Sequence, residues 1–151
     1  GKVYEQPVIS LDILPPAVAA AGGEIGTDWR IDGVNLLPYL MGRNATAPHD
    51  ALYWRFGPEW AIRQGDWKLV VGFDYDANLL PPPPPNLVKV TAPQLYNLAA
   101  DPGETKDLAS TQPKRVAAMK AAWDKWNAAN QPPAWVPNPA AGKKATGKAQ
   151  K

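Results

Sequence analysis

Cysteine is absent from the 151 residues of this chain, which excludes disulfide bonds and thiol chemistry within it. Histidine occurs once, as His49, so any Ser–His–Asp arrangement would have to be built on that residue. No apolar run reaches the ~20 residues that a helix needs to cross a bilayer. We therefore expect neither cysteine-based catalysis nor insertion into a membrane.

Proline, in contrast, is abundant, with 18 residues. Because proline lacks a backbone N–H and fixes φ, regular elements should be short and joined by extended loops. Pro81 to Pro85 are consecutive and predict polyproline II. We interpret this run as a stiff surface spacer, and the alternative is a ligand for an aromatic groove.

Charge is unevenly distributed along the chain. The net charge is +2, and the segment from Asn138 onward contains four lysines and no acidic residue. Such an end is typical of a solvated, disordered basic tail, which we place at residues 137–151. Nucleic-acid binding is the alternative, but neither aromatic residues nor a folded basic stripe supports it, so we expect no nucleic-acid partner.

Three successive runs between Ala51 and Gly72 alternate apolar and polar side chains with a period of two, which is the pattern of half-buried strands. Gly57-Pro58-Glu59 and Gly65-Asp66 separate them as turns, and the second suits a two-residue hairpin. The strands should therefore be antiparallel neighbours. Together with a fourth strand, they are predicted near 51–56, 60–64, 67–72 and 94–98.

A helix is predicted at 113–130, where apolar residues recur along one stripe. Ser110 or Thr111 is the expected N-cap. We expect Trp123 and Trp126 to anchor this helix against the sheet. These patterns predict an α+β fold, a small antiparallel sheet of about four strands packed by one C-terminal amphipathic helix.

The amino-terminal part predicts less regular structure. A short helix from Ser10 to about Ala21 should break near Leu14, because two prolines follow. Asp32-Gly33 is predicted as a turn, and residues 36–41 as one helical turn. The apolar side chains of this part outnumber those that a small core can cover.

Three stretches have a residue order that is more specific than these elements need. Gln94–Ser110 reads QLYNLAADPGETKDLAS, Ala51–Val70 reads ALYWRFGPEWAIRQGDWKLV, and Ile31–Gly42 reads IDGVNLLPYLMG. In the first, Asp101-Pro102-Gly103 has the chemistry of a tight turn, with Gly103 able to take a positive φ. In this order the three stretches resemble the C-terminal part of arylsulfatase-type, formylglycine-dependent sulfatases, and the predicted fold is similar to that family's C-terminal subdomain.

The resemblance implies a catalytic centre that this chain does not carry. In the family, a Cys or Ser in the pattern Cys/Ser-x-Pro-x-Arg is oxidised to formylglycine, and calcium held by Asp and Asn side chains neutralises the sulfate. The nearest match, Thr111–Arg115, begins with a threonine, which the family does not convert, and we interpret it as the start of the helix. Asp74-Tyr75-Asp76 offers too few oxygens for calcium. We assign no catalytic or metal residue here and expect calcium and formylglycine only in the full-length enzyme.

Two residues are candidates for substrate binding. His49 and Arg55 resemble family positions beside the first strand, and either would point to the cleft edge where a sulfate ester enters. The alternative for His49 is a capping role through Asp50. Arg63 and Lys68 are expected on the alternate strand face and solvated.

The predicted function is that of the C-terminal portion of a sulfuric-ester hydrolase, which supports the catalytic domain, shapes one wall of the substrate pocket and is inactive alone. Residues 1–45 would pack on the missing N-terminal catalytic domain, and residues 46–136 would form the α+β subdomain. The resemblance implies a sulfated small molecule or glycan as substrate and a periplasmic or secreted location. The alternative is a stand-alone binding module that uses exposed aromatic residues and the polyproline loop. The sequence does not identify the sulfated substrate.

Overall fold

The structure, a computed structural model, describes Gly1, residues 3–74 and residues 89–132. The chain divides into two units, Gly1–Leu52 and Tyr53–Lys151. The predictions for Pro81–Pro85 and for the basic tail lie outside the described residues.

The strands of the described residues are, in chain order, β1 Leu52–Phe56, β2 Glu59–Gln64, β3 Trp67–Val71, β4 Phe73–Asp74, β5 Lys89–Val90 and β6 Gln94–Asn97. Four of them form one sheet in the order β1-β2-β3-β6, and β3 pairs antiparallel with both of its neighbours. The predicted four-stranded sheet is confirmed, and its strand bounds differ from the prediction by one residue at most. The two-residue strands β4 and β5 form a separate antiparallel pair that was not predicted.

Tight turns join the first three strands. Gly57 and Gly65, with φ of 58° and 56°, each occupy the first position of a two-residue turn. A positive φ at this position is what a type II′ hairpin turn requires, and glycine adopts it without steric cost. The predicted hairpin connections are therefore confirmed.

One face of the sheet carries the core and is covered by helix α3, Pro113–Ala128. The ring of Trp123 stacks on Trp60 with centroids 4.6 Å apart, and the ring of Trp126 stacks on Tyr53 at 5.0 Å. This packing confirms the predicted role of the two helix tryptophans. The fully buried apolar side chains of this face are Ile62, Leu69 and Leu95.

The predicted cap of the helix is wrong. The N-cap of α3 is Gln112, and no side chain makes a capping hydrogen bond there. Neither Ser110 nor Thr111 lies at the cap position, and the Thr111 hydroxyl donates instead to the Leu108 carbonyl at 3.0 Å. The Gln112 carbonyl accepts the N–H groups of Arg115 and Val116 at 3.0 and 3.1 Å, and Pro113, at the first helical position, has no N–H to satisfy.

We call the side of the sheet that faces away from α3 the second face. The strand register shows which residues lie on it. Ala61 lies opposite Val70, and Arg63 lies opposite Lys68. Side chains alternate along a strand, and Tyr53 points to the helix, so Trp54 belongs to the second face.

In the described residues that precede β1, the regular elements of the first unit are short helices. A 3₁₀-helix, Ser10–Ile13, leads into α1, Leu14–Ala20, and α2 is Leu37–Leu40. The predicted break near Leu14 is confirmed as the change from 3₁₀ to α geometry. Pro15 and Pro16 then fall in the first turn of α1, where proline is tolerated.

Candidate functional site

In the first unit a buried carboxylate joins three segments of the chain. Asp12 is only 1% exposed. Its Oδ2 accepts the N–H of Ile9 and its Oδ1 accepts the N–H of Val34, both at 2.9 Å. The Nε2 of His49 lies 2.9 and 2.8 Å from the two carboxylate oxygens. Because an ionised carboxylate only accepts hydrogen bonds, Nε2 is the donor, and one side chain holds all three segments together.

Hydrogen bonding determines the ionisation of this carboxylate. Burial alone raises the pKa of Asp12, but the backbone N–H groups of Ile9 and Val34 and the ring of His49 lower it. The net pKa lies below the ordinary value of 3.8. Asp12 is therefore an anion at neutral pH, and the anion is the form that binds its donors best.

Gly33 lets the chain approach the first helix closely enough to reach this carboxylate. A Cβ at this position would lie 2.0 Å from the carbonyl oxygen of Leu11, so no side chain fits there. The prediction of a turn at Asp32-Gly33 is wrong, since these two residues form no turn. The glycine is needed because of the close approach, which brings the N–H of Val34 to Asp12.

His49, a predicted substrate-binding residue, is anchored by this contact. Its side chain is 12% exposed and hydrogen-bonded to the carboxylate of Asp12. The ring therefore helps to hold the first unit together. A contact of His49 with substrate stays a prediction.

Arg55, the other predicted substrate-binding residue, lies in the second unit and points to the helix side of β1. Its Nη1 donates to the side-chain oxygen of Asn127, and its Nη2 donates to the backbone carbonyl of Gln131 at 2.6 Å. The guanidinium group thus fixes the C-terminal end of α3 to the edge of the sheet. A contact of Arg55 with substrate also stays a prediction.

Two aspartates shape the loop that follows β6. Asp101 accepts the backbone N–H of Lys106 at 2.8 Å, and this bond is the main reason that the pKa of Asp101 lies below its ordinary value. Asp107 accepts the N–H of Leu95 at 2.9 Å, and the Leu95 carbonyl accepts the N–H of Leu108 at 2.8 Å. The loop therefore returns along β6 and satisfies backbone groups of this edge strand.

The same loop contains a backbone conformation that the sequence did not predict. Glu104 has a φ of 55°, whereas Gly103, the residue expected to take a positive φ, does not have one. The Glu104 carboxylate accepts two hydrogen bonds from Lys68 Nζ, at 2.6 and 2.9 Å. A left-handed conformation costs a residue with a side chain about 1–2 kcal/mol, and the ion pair with Lys68 offsets part of this.

Beside this ion pair, the second face has a depression of about 410 Å³. Arg63 and Lys68 lie directly opposite each other there, on the face away from the helix, as predicted. Both are half-buried rather than fully solvated. The lining residues are Trp54, Ala61, Arg63, Lys68, Val70, Leu98 and Glu104.

The described residues contain no group of three or more His, Asp or Glu side chains that could hold a metal ion. They do not fit the calcium site that the resemblance implies. In the segment Thr111–Arg115, the guanidinium of Arg115 lies 4.1 Å above the ring of Trp67. None of the helices in the described residues is long and apolar enough to cross a bilayer.

Sequence reasoning missed Asp12, Gly33 and Glu104. The one sequence signal for Asp12 was its place within the apolar run Leu11–Leu14, because an acid that is buried there needs hydrogen-bond partners. No signal existed for Glu104, because an acidic residue rarely adopts a positive φ.

The chain is similar in sequence to known sulfatases. It is 27% identical to human arylsulfatase D over 125 residues, which cover 72% of this chain and 21% of that protein. It is 26% identical to mouse steryl-sulfatase over 127 residues, with coverages of 72% and 20%. The chain thus spans about a fifth of the length of these relatives. No protein-family model matches the sequence.

Solved structures share the fold. The crystal structure of Ps i-CgsB in complex with k-i-k-neocarrahexaose gives a TM-score of 0.64 at 24% identity, over 91% of this chain and 28% of that one. A Bacteroides thetaiotaomicron protein from work on glycosaminoglycan metabolism gives 0.56 at 24% identity, over 78% and 24%. Identities at this level show the fold alone.

These comparisons confirm the resemblance carried by the three sequence stretches. The chain is similar to a C-terminal portion of arylsulfatase-type sulfatases, and it has the α+β fold expected of one.

Proposed function

We propose that this chain is the C-terminal portion of a sulfuric-ester hydrolase, in which it supports the catalytic domain, shapes one wall of the substrate pocket and is inactive alone. The observation that carries the proposal is the alignment with arylsulfatase D, which extends over 72% of this chain but only 21% of that protein. Hydrolysis of sulfate esters is then a property of the whole protein.

The surface of the first unit supports this proposal. Leu11, Ile13 and Leu14 lie within four residues of the chain and are 52%, 70% and 50% exposed. Leu40 and Met41 are also more than half exposed. Contiguous apolar surface of this kind usually marks an interface, and a catalytic domain would supply the covering surface.

In this proposal the catalytic chemistry comes from outside the chain. Formylglycine and calcium would reside in the catalytic domain, since the chain has no cysteine and its described residues offer no metal site. The substrate would be a sulfated small molecule or glycan. The whole protein would be periplasmic or secreted.

Sulfate release from 4-nitrophenyl sulfate tests the proposal. The 151-residue chain should release none above background, with or without calcium. A longer product of the same reading frame that includes a Cys/Ser-x-Pro-x-Arg motif should release sulfate, and changing the Cys or Ser of that motif to Ala should abolish the release. Calcium-dependent release by the 151-residue chain alone would overturn the proposal.

The reading frame itself separates this proposal from a stand-alone binding module. An upstream sequence in frame that carries Cys/Ser-x-Pro-x-Arg supports the hydrolase. A stop codon directly upstream, together with stable monomeric behaviour of the chain, supports the module.

A further inference from the structure

The second face of the sheet has the form of a binding cleft. The 410 Å³ depression beside Glu104 adjoins another of about 310 Å³, and Trp54, Ala61 and Val70 line both. All of the residues that line the two depressions belong to the second unit. Volumes of this order are those of small-molecule sites.

The cleft exists because a small residue lies between larger ones. Ala61 is flanked by Trp54 and by its cross-strand partner Val70. A methyl side chain at this position leaves the space that a larger one would fill. The Trp54 side of the cleft remains accessible, since this residue is 40% exposed.

Within the described residues, the hydrogen-bond donors at one end of the cleft are not all used. Arg63 and Lys68 are direct cross-strand partners, an arrangement of like charges that by itself destabilises a sheet. Glu104 neutralises Lys68 through two hydrogen bonds. Arg63 donates from Nε to the Gly65 carbonyl at 2.9 Å, and in the described residues its two terminal amino groups make no other hydrogen bond. Within the part of the chain that the structure describes, the guanidinium of Arg63 therefore keeps unused donors at the end of the cleft.

We propose that the second face binds a sulfated sugar, with Trp54 stacking on the apolar side of the sugar ring and Arg63 donating to the sulfate. A planar guanidinium provides paired donors that match a tetrahedral oxyanion. A tryptophan face provides a flat apolar surface that a sugar covers with its C–H groups, while its hydroxyls stay in water.

This inference rests on the proposed function, because a sulfatase meets sulfated substrates, but binding can be measured without hydrolysis. An unpaired arginine favours an anionic ligand over an apolar protein segment, which would have to desolvate that charge without compensation. A cleft that only contacts another protein domain would bind no free sugar.

Calorimetry and ¹⁵N NMR on the 151-residue chain test the proposal with three tetrasaccharides. These are chondroitin 6-sulfate, unsulfated chondroitin, which keeps the carboxylates, and neutral chitotetraose. We expect the sulfated probe to bind at least about tenfold more tightly than unsulfated chondroitin, and its affinity to fall with added salt. The indole N–H signal of Trp54 should shift on binding. Equal affinity for the sulfated and unsulfated probes, or no binding, would overturn the proposal.

Variants separate the two contacts. Arg63→Gln should remove the preference for the sulfated probe. Trp54→Ala should weaken the binding of both chondroitin probes by about tenfold. Ala61→Leu should fill the cleft and prevent the binding of both chondroitin probes. Arg115→Gln removes the same charge on the helix side of the sheet and should leave binding unchanged. Sulfate preference that survives Arg63→Gln, in a variant with a native-like spectrum, would contradict the assignment.

Each variant is checked for folding by its ¹⁵N spectrum. If Trp54→Ala does not fold, Ala61→Leu tests the same cleft while keeping the indole ring. Binding by the chain without sulfate release by the longer protein would overturn only the proposed function. Sulfate release by the longer protein without binding by this chain would overturn only this inference.

Discussion

Replacing Asp12 by asparagine changes the hydrogen-bonding capacity of a buried site while keeping its size. In the wild-type protein, the carboxylate oxygens accept the N–H groups of Ile9 and Val34 and the Nε2–H of His49. Asparagine has one oxygen and one NH₂ group, so the NH₂ group must face the N–H of either Ile9 or Val34. One backbone donor then loses its acceptor.

The expected loss of stability follows from two terms. An unsatisfied buried donor costs about 1–3 kcal/mol, and hydrogen bonds to a charged group are worth about 1.5–3 kcal/mol, more than those to a neutral one. We therefore expect Asp12→Asn to lower the free energy of opening of the first unit by roughly 2–4 kcal/mol. This corresponds to a loss of amide protection of roughly 30- to 1000-fold.

Hydrogen exchange measured at the amide of Val34 reports this loss directly. Asp32→Asn is the matched control, because Asp32 is an exposed carboxylate in the same unit. The control should leave exchange at Val34 unchanged. Limited proteolysis should cut the first unit of Asp12→Asn faster than that of the control.

The pH dependence supplies the refuting test. The folded-state pKa of Asp12 lies below its ordinary value of 3.8, so its stabilising contribution is complete above that value. The contribution is lost as the pH falls through the folded-state pKa. Protection of Val34, corrected for intrinsic exchange, should therefore decline below about pH 4 in the wild type, and this component should be absent in Asp12→Asn. If the Val34 amide of Asp12→Asn were as protected at neutral pH as that of the wild type, the role of the carboxylate would be refuted.

Three further substitutions test the close contacts of the fold. Gly33→Ala should lower the unfolding free energy by about 3 kcal/mol in urea denaturation, because its Cβ would lie 2.0 Å from the Leu11 carbonyl oxygen, and an unchanged midpoint would contradict this contact. Glu104→Gly should be more stable than Glu104→Ala by roughly 0.5–1 kcal/mol, since both lose the ion pair but only glycine adopts a positive φ freely. Arg55→Lys should lower stability by about 1 kcal/mol and speed exchange in the last turn of α3, because lysine cannot donate to Asn127 and to a backbone carbonyl together. Equal stability of the two Glu104 variants, or unchanged exchange in Arg55→Lys, would argue against these roles.

The sheet and its helix could be predicted because both obey local periodicities. Alternation along β1 to β3 and the two glycine turns define antiparallel neighbours, whatever lies elsewhere in the chain. The stripe that contains Trp123 and Trp126 likewise selects one side of α3 for burial. What these patterns could not predict was the start of the helix, where Gln112, and neither Ser110 nor Thr111, occupies the N-cap position.

The Asp12 site could not be predicted in the same way because its partners are distant in sequence. Val34 lies 22 residues from Asp12, and His49 lies 37 residues from it. No period relates these positions, and only the folded chain brings them together. Gly33 was misassigned for a related reason, since a glycine that permits a close approach has the same sequence signature as one in a turn.

The residues that carry the family resemblance support the structure more than they supply chemistry. Asp101 and Asp107 satisfy backbone donors, Gly33 permits a close approach, and Arg55 fixes the end of the helix. A motif made of such residues identifies a fold, because each of these contacts requires the neighbouring backbone to have one particular position. In the proposed function, reactivity would come from elsewhere in a longer protein. Arg63 differs from this group, since its terminal donors make no hydrogen bond within the described residues, which is why the second face is where we place a ligand.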